Sequence, residues 1–88
     1  MEKTQEKPRL TKLERGIVEA FDQKIWIARN MDDSLFLHEK EPVKLKCLWL
    51  VKGFGCELIL KDELFPFITW ESEKAWNSEE LLALEVDE

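Results

Sequence analysis

The segment "KIWIARNMDDSLFLHEK", residues 24–40, constrains the fold more than any other: two runs rich in β-branched and aromatic residues flank a short polar break. Such a pair forms a β-hairpin. Asp32, Asp33 and Ser34 supply the turn chemistry, because short polar side chains bond nearby backbone groups and tolerate unusual dihedrals. The acids of "DDSLFLHE" lack the Gly and terminal Glu of a calcium-binding loop, so they read as a turn. His38, on the second strand, reads as a surface residue.

Beyond Pro42, the residues Val43, Leu45, Cys47, Trp49 and Val51 alternate with Lys44, Lys46, Leu48, Leu50 and Lys52. This is the pattern of a strand with its first set facing the core. "KGFG" then turns the chain and "CELILK" returns as its partner, with 51 opposite 56, 49 opposite 58 and 47 opposite 60. That register separates Cys47 from Cys56 by roughly 13 Å along the ladder, too far for a disulfide. Both cysteines read as reduced, small apolar fillers of a sheet. "GFG" joins two strands and opens no helix, so it is a turn and not a phosphate loop. Lys40, Lys44, Lys46, Lys52 and Lys61 read as a solvated face.

Leu10, Leu13, Ile17, Val18, Ala20 and Phe21 recur at helical spacing, and Thr11 with Glu14 forms a capping box. A helix is expected from about Lys12 to Asp22, and Gly16 inside it is either tolerated by the helix or marks a close approach by a neighbour, close packing being the plainer explanation. Toward the C-terminus, "LFPFITWESEKAW" predicts a short strand from about Phe67 to Glu71, with Pro66 at its start; a helix is the weaker alternative. Leu64, Phe65, Phe67 and Trp70 are assigned to core closure. Asn77 and Glu80 form a second capping box, followed by a helix from Ser78 to about Leu84 with Trp76, Leu81, Leu82 and Leu84 as apolar contacts.

The expected fold is α+β: one small domain, an N-terminal helix packed on a mostly antiparallel sheet of about four to five strands, and a short C-terminal helix. Eighty-eight residues leave interior for one core only. The divisions are a flexible N-terminal arm over 1–10, an α+β domain over 11–76, and an acidic C-terminal tail over 77–88.

Charge is unevenly placed. Residues 1–61 hold 12 Lys or Arg against 10 Asp or Glu, whereas 62–88 hold one Lys against nine acids. This disfavours direct nucleic-acid binding, which needs a basic surface. No run of about 18 apolar residues could span a bilayer, and "MEKTQEKPRL" carries charges where a signal peptide would be apolar. A cytoplasmic protein is expected. The chain has no nucleophile motif, no metal-ligand set and a single His, so neither enzyme activity nor a cofactor is expected.

"KIWIARNMDDSLFLHEKEPVK" together with "ELFPFITWESEKAW" resembles small uncharacterised proteins of phages, prophages and gut-bacterial mobile elements. These carry an "ARD" strand with an acidic turn and an "LFPxVTWE" close. The positions that carry the likeness are Ile25, Ala28, Arg29, Asp33, Leu35, Leu37, Pro42, Leu64, Phe65, Pro66, Thr69, Trp70 and Glu71, within residues 25–45 and 62–76. The acidic-proline ending is replaced here, and the cysteine segment lies outside the pattern. The resemblance implies a bacterial or phage-infected cytoplasm and no chemistry.

The leading expectation is a non-catalytic module that binds a host or viral protein through the tail residues Trp76, Glu79, Glu80, Leu81, Leu82 and Leu84. The same short segment can instead pack on its own domain. An acidic mimic of nucleic acid that inhibits a basic enzyme is the second reading. A structural homodimer, formed through an uncovered sheet edge or the apolar tail, is the third.

Overall fold

A computed structural model describes residues 8–53 and 55–87 of the chain. Its ten elements are β1 (Leu10–Thr11), α1 (Lys12–Glu19), β2 (Trp26–Arg29), β3 (Leu35–His38), β4 (Val43–Lys44), β5 (Trp49–Leu50), β6 (Glu57–Leu60), β7 (Trp76–Asn77), α2 (Ser78–Leu82) and β8 (Val86–Asp87). The chain is α+β, as expected: two helices and an antiparallel four-stranded sheet in the order β6-β3-β2-β7.

Both helices begin where the sequence places them. Thr11 accepts from the Glu14 N–H while the Glu14 carboxylate accepts from the Thr11 N–H, and Asn77 and Glu80 repeat the exchange at α2. Four otherwise orphaned donors are thereby satisfied. α1 ends at Glu19, earlier than Asp22. Gly16 lies on its exposed face, and a Cβ there would meet open space, so of the two readings the helix tolerates this glycine and no close approach by a neighbour explains it.

The β2–β3 hairpin forms as read, pairing Trp26 with His38 and Arg29 with Leu35. Asn30 and Ser34 close a three-residue loop in which the Asp33 N–H bonds the Asn30 carbonyl and Asp33 takes φ 75°. That is a type I turn followed by a left-handed residue, a conformation Asp tolerates. Asp32 completes it by accepting from both the Ser34 hydroxyl and its N–H, which hold its carboxyl below the usual carboxylate range.

Residues 43–51 differ from expectation. They are not one strand: β4 and β5 fold back on each other, Val43 opposite Leu50 and Lys44 opposite Trp49, with Leu45 bonded to Leu48 beside the bend. Only Trp49 of the alternating set is buried. The partner of β6 is β3, so the expected pairing of 49 with 58 and 47 with 60 is replaced by Leu35 with Leu60 and Leu37 with Leu58. Cys47 and Cys56 are free, and both are exposed instead of filling the sheet.

The pairings sort the sheet's side chains onto two faces. On one, Ile27, Leu35 and Leu37 join Leu10, Val18, Ile25, Phe65, Ile68 and Leu81 in the main core beneath the helices. On the other, Ala28 and Ala75 carry Trp49, flanked by Trp26 and Trp70. Lys44 ties this second layer down: its ammonium donates to the carbonyls of Trp70 and Ser72 and lies 4.3 Å from the centre of the Trp70 ring. Its side chain nonetheless stays exposed, as do those of Lys40, Lys46, Lys52 and Lys61, in keeping with a solvated lysine face.

The first and last described elements, β1 and β8, are continuous with the core. The arm expected over 1–10 lies mostly outside the described residues, but its last residue, Leu10, is fully buried and pairs in parallel with Val86, while Arg9 reaches Glu85 at 2.7 Å. Leu81 of α2 is likewise fully buried, so residue 76 marks no gap in packing between a domain and a tail.

Candidate protein-binding edge

β6 is positioned by the segment that follows it. Residues 64–72 form no strand; successive turns join Leu64 to Lys61, Ile68 to Phe65 and Ser72 to Thr69. The reason is Arg29. Its buried guanidinium spends all five N–H donors on main-chain carbonyls, those of Ile68, Asp33, Asp62, Leu64 and Phe65, at 2.7–3.3 Å. Carbonyls that a strand would give to a ladder instead converge on one side chain. Glu14 completes the clamp by accepting the Phe65 N–H, and Phe65, at φ 48°, is fully buried. The loop thus closes the core, with Leu64 and Phe67 packed against it.

Upstream of this clamp, β6 occupies the end of the four-stranded sheet, and among the described residues no strand lies on its outer side. The phase of its ladder follows from one bond. Glu39 N–H donates to the Cys56 carbonyl at 3.2 Å, and in an antiparallel pair alternate residues exchange bonds with the neighbour. Residues 56, 58 and 60 therefore turn their amides toward β3, whereas Glu57, Ile59 and Lys61 present theirs outward. Ile59 is 69% exposed, the most of any large apolar side chain among the described residues, and Leu58 is 52% exposed. The Lys61 carbonyl is taken by the Leu64 N–H, which leaves Glu57 and Ile59 as the apolar edge's open main-chain positions together with the Lys61 amide, and such an edge is a template for another strand.

The six tail residues singled out in the sequence are not brought together as one surface. Leu81 is in the core, Trp76 packs edge-on against Phe67 with ring centres 5.0 Å apart, and Leu84 is packed against the same core. Glu80 caps α2 and meets Lys74 at 3.0 Å; burial opposes its carboxylate, but the Asn77 N–H and Lys74 hold its pKa below the usual value. Glu79 lies 3.7 Å from Lys24. Leu82 alone of the apolar four is exposed. β6, by contrast, carried a sequence signal: "ELILK" has apolar residues in succession between two charges, and an uncovered edge would have been legible had its partner been known.

His38 also departs from expectation. It is buried, with neither ring nitrogen hydrogen-bonded among the described residues, and Glu57 Oε1 is 3.4 Å from Nδ1. Desolvation lowers its pKa, against the pull of Glu57. No group of three or more His, Cys, Asp or Glu among the described residues could hold a metal ion, and none of the described helices is long and apolar enough to cross a membrane. No protein family, curated protein or solved structure matches the chain.

Proposed function

We propose that this chain is a non-catalytic protein-interaction module that binds another polypeptide by adding it to the outer edge of β6. The observation that carries the reading is the edge itself: outward amides at Glu57, Ile59 and Lys61, with Ile59 and Leu58 bare between two charges. Strand addition draws its affinity from main-chain bonds and its selectivity from alternate side chains. The resemblance to phage and mobile-element proteins points to a bacterial or phage-infected cytoplasm as the setting. Pairing of Glu85, Glu79 and Glu80 with Arg9, Lys24 and Lys74 leaves the tail less suited to imitating a phosphate backbone.

The test is to immobilise the protein and an Ile59→Lys variant against bacterial lysate containing an epitope-tagged second copy of the chain. Bound proteins are identified at low and high salt. A protein, foreign or the tagged copy, held by the parent and lost by the variant supports the reading, with little dependence on salt. If both baits keep the same set, or neither keeps anything, the reading is wrong.

A further inference from the structure

We infer that the strand β6 accepts is β6 of a second copy, in one antiparallel register centred on Ile59. The inference rests on the edge being a docking surface and names its occupant. The segment Glu57–Leu58–Ile59–Leu60–Lys61 reads the same under a two-fold axis if charge is reversed end for end. With Ile59 opposite its own copy, Glu57 of each chain faces Lys61 of the other, and Leu58 faces Leu60. Acid thus meets base and apolar meets apolar at every position, the self-complementarity an isologous contact demands.

The hydrogen-bond phase permits this register. Outward amides at 57, 59 and 61 face one another, so Ile59 exchanges two bonds with its copy and the Lys61 N–H donates to the Glu57 carbonyl, the Lys61 carbonyl being held by the Leu64 N–H. Sliding by one pairing step toward the N-terminus sets Glu57 opposite Ile59 and Lys61 opposite Gly55; sliding the other way sets Lys61 opposite Ile59 and Glu57 opposite Glu63. A further step in either direction opposes Glu57 to Glu57 or Lys61 to Lys61. Only the centred register pairs acid with base.

The cover is also of the right kind. Leu58 lies on the helix-covered face, opposite buried Leu37, yet is half exposed because nothing flanks it at the edge. The second copy's Leu60 fills that flank. On the other face the two Ile59 side chains meet between the two Glu57–Lys61 pairs. The product is a continuous eight-stranded antiparallel sheet with no uncovered β6 edge.

Sedimentation equilibrium on the full chain, with circular dichroism to verify folding, provides the test. The parent should be dimeric at micromolar concentration. Lys61→Glu and Glu57→Lys should each weaken the dimer by about tenfold, since each sets like charges opposite at two symmetric places. Combining them restores it. Lys61 is exposed, so its variant remains informative should Glu57→Lys disturb neighbouring His38. In a Cys47→Ser, Cys56→Ser background, Ile59→Cys should link two chains under oxidised glutathione, since opposed Cα atoms about 5.5 Å apart suit a disulfide; Leu58→Cys should not. A parent monomeric to millimolar concentration, single charge variants that bind as the parent does, or failure of the Ile59→Cys link would each overturn the inference. If the immobilised chain keeps a foreign protein through β6 but not the tagged copy, the inference falls and the docking edge stands.

Discussion

Glu14 and Arg29 hold Phe65 between them: Glu14 Oε2 accepts its N–H, and Arg29 Nη2 donates to its carbonyl at 3.3 Å. A helix N-terminus and a central strand are thereby joined through one residue of the connecting loop. The same guanidinium bonds the Asp62 carbonyl, just beyond β6. The edge strand is consequently fixed at its C-terminal end by a buried side chain of the sheet's interior.

Arg29 should be irreplaceable by lysine. An ammonium carries three donors on a flexible stem and cannot span five converging carbonyls, so Arg29→Lys leaves buried acceptors unpaired. The expected loss in urea unfolding is about 2–4 kcal/mol. A change below about 0.5 kcal/mol, the scatter of ordinary surface substitutions, would show that the loop is held by other contacts.

The C-terminal helix should behave as core on one side only. Leu81→Ala should cost about 2–5 kcal/mol, the range for emptying a buried leucine site, while exposed Leu82→Ala should stay within about 0.5 kcal/mol. Thermal unfolding of the two variants separates them. Similar small shifts in both would mean that α2 adds little to the core.

Acid should weaken the fold before the carboxylates titrate. His38 is buried neutral with a lowered pKa, so below about 6.5 the unfolded chain binds a proton that the folded chain refuses. Stability then falls as pH drops from about 6.5 toward the depressed folded value, and no further below it. The carboxylates with lowered pKa, Asp32 and Glu80, contribute only at more acidic pH, below their unfolded values. Glu57, on the neighbouring strand, opposes the shift and reduces its size. Urea unfolding at pH 7.5, 6.5 and 5.5 should show the slope, and His38→Leu should remove it.

Gly16→Ala should stabilise the protein by about 0.5–1 kcal/mol, because the helix interior gains a better former and the added methyl meets open space. Destabilisation would reveal a neighbour at that face.

The features legible in the sequence were the local ones. Capping boxes at Thr11 and Asn77 act within four residues, and the Asp-rich loop between β2 and β3 closes on its own side chains, so both helix starts and the hairpin could be read directly. The errors came where tertiary bonds decide. No glycine or proline marks the bend at residues 45–48; it is held by Cys47 and Trp49 bonding to Met31 and Asn30 and by Lys44 on Trp70. Alternation along 43–51 therefore suggested one strand where two exist. "LFPFITWE" alternates as a strand does, but Arg29, 35 or more residues away, takes the carbonyls of Leu64, Phe65 and Ile68. For the tail, the sequence leaves packing on its own domain and docking to a partner both open, and Leu81 decides for packing by completing the core. The β6 edge was hidden by assigning its partner to 43–51; once β3 takes that place, the other side of "ELILK" is open.

The most direct measurement is residue-resolved amide exchange, comparing dilute with concentrated protein and then protein with any captured partner. Leu58 and Leu60 bond β3 and should be protected throughout. On association, Glu57, Ile59 and Lys61 should slow by at least about tenfold, giving protection at every residue of β6. Association that leaves those three amides unchanged while slowing Glu79 to Leu84 would move the docking surface to the tail and contradict the role assigned to the sheet edge.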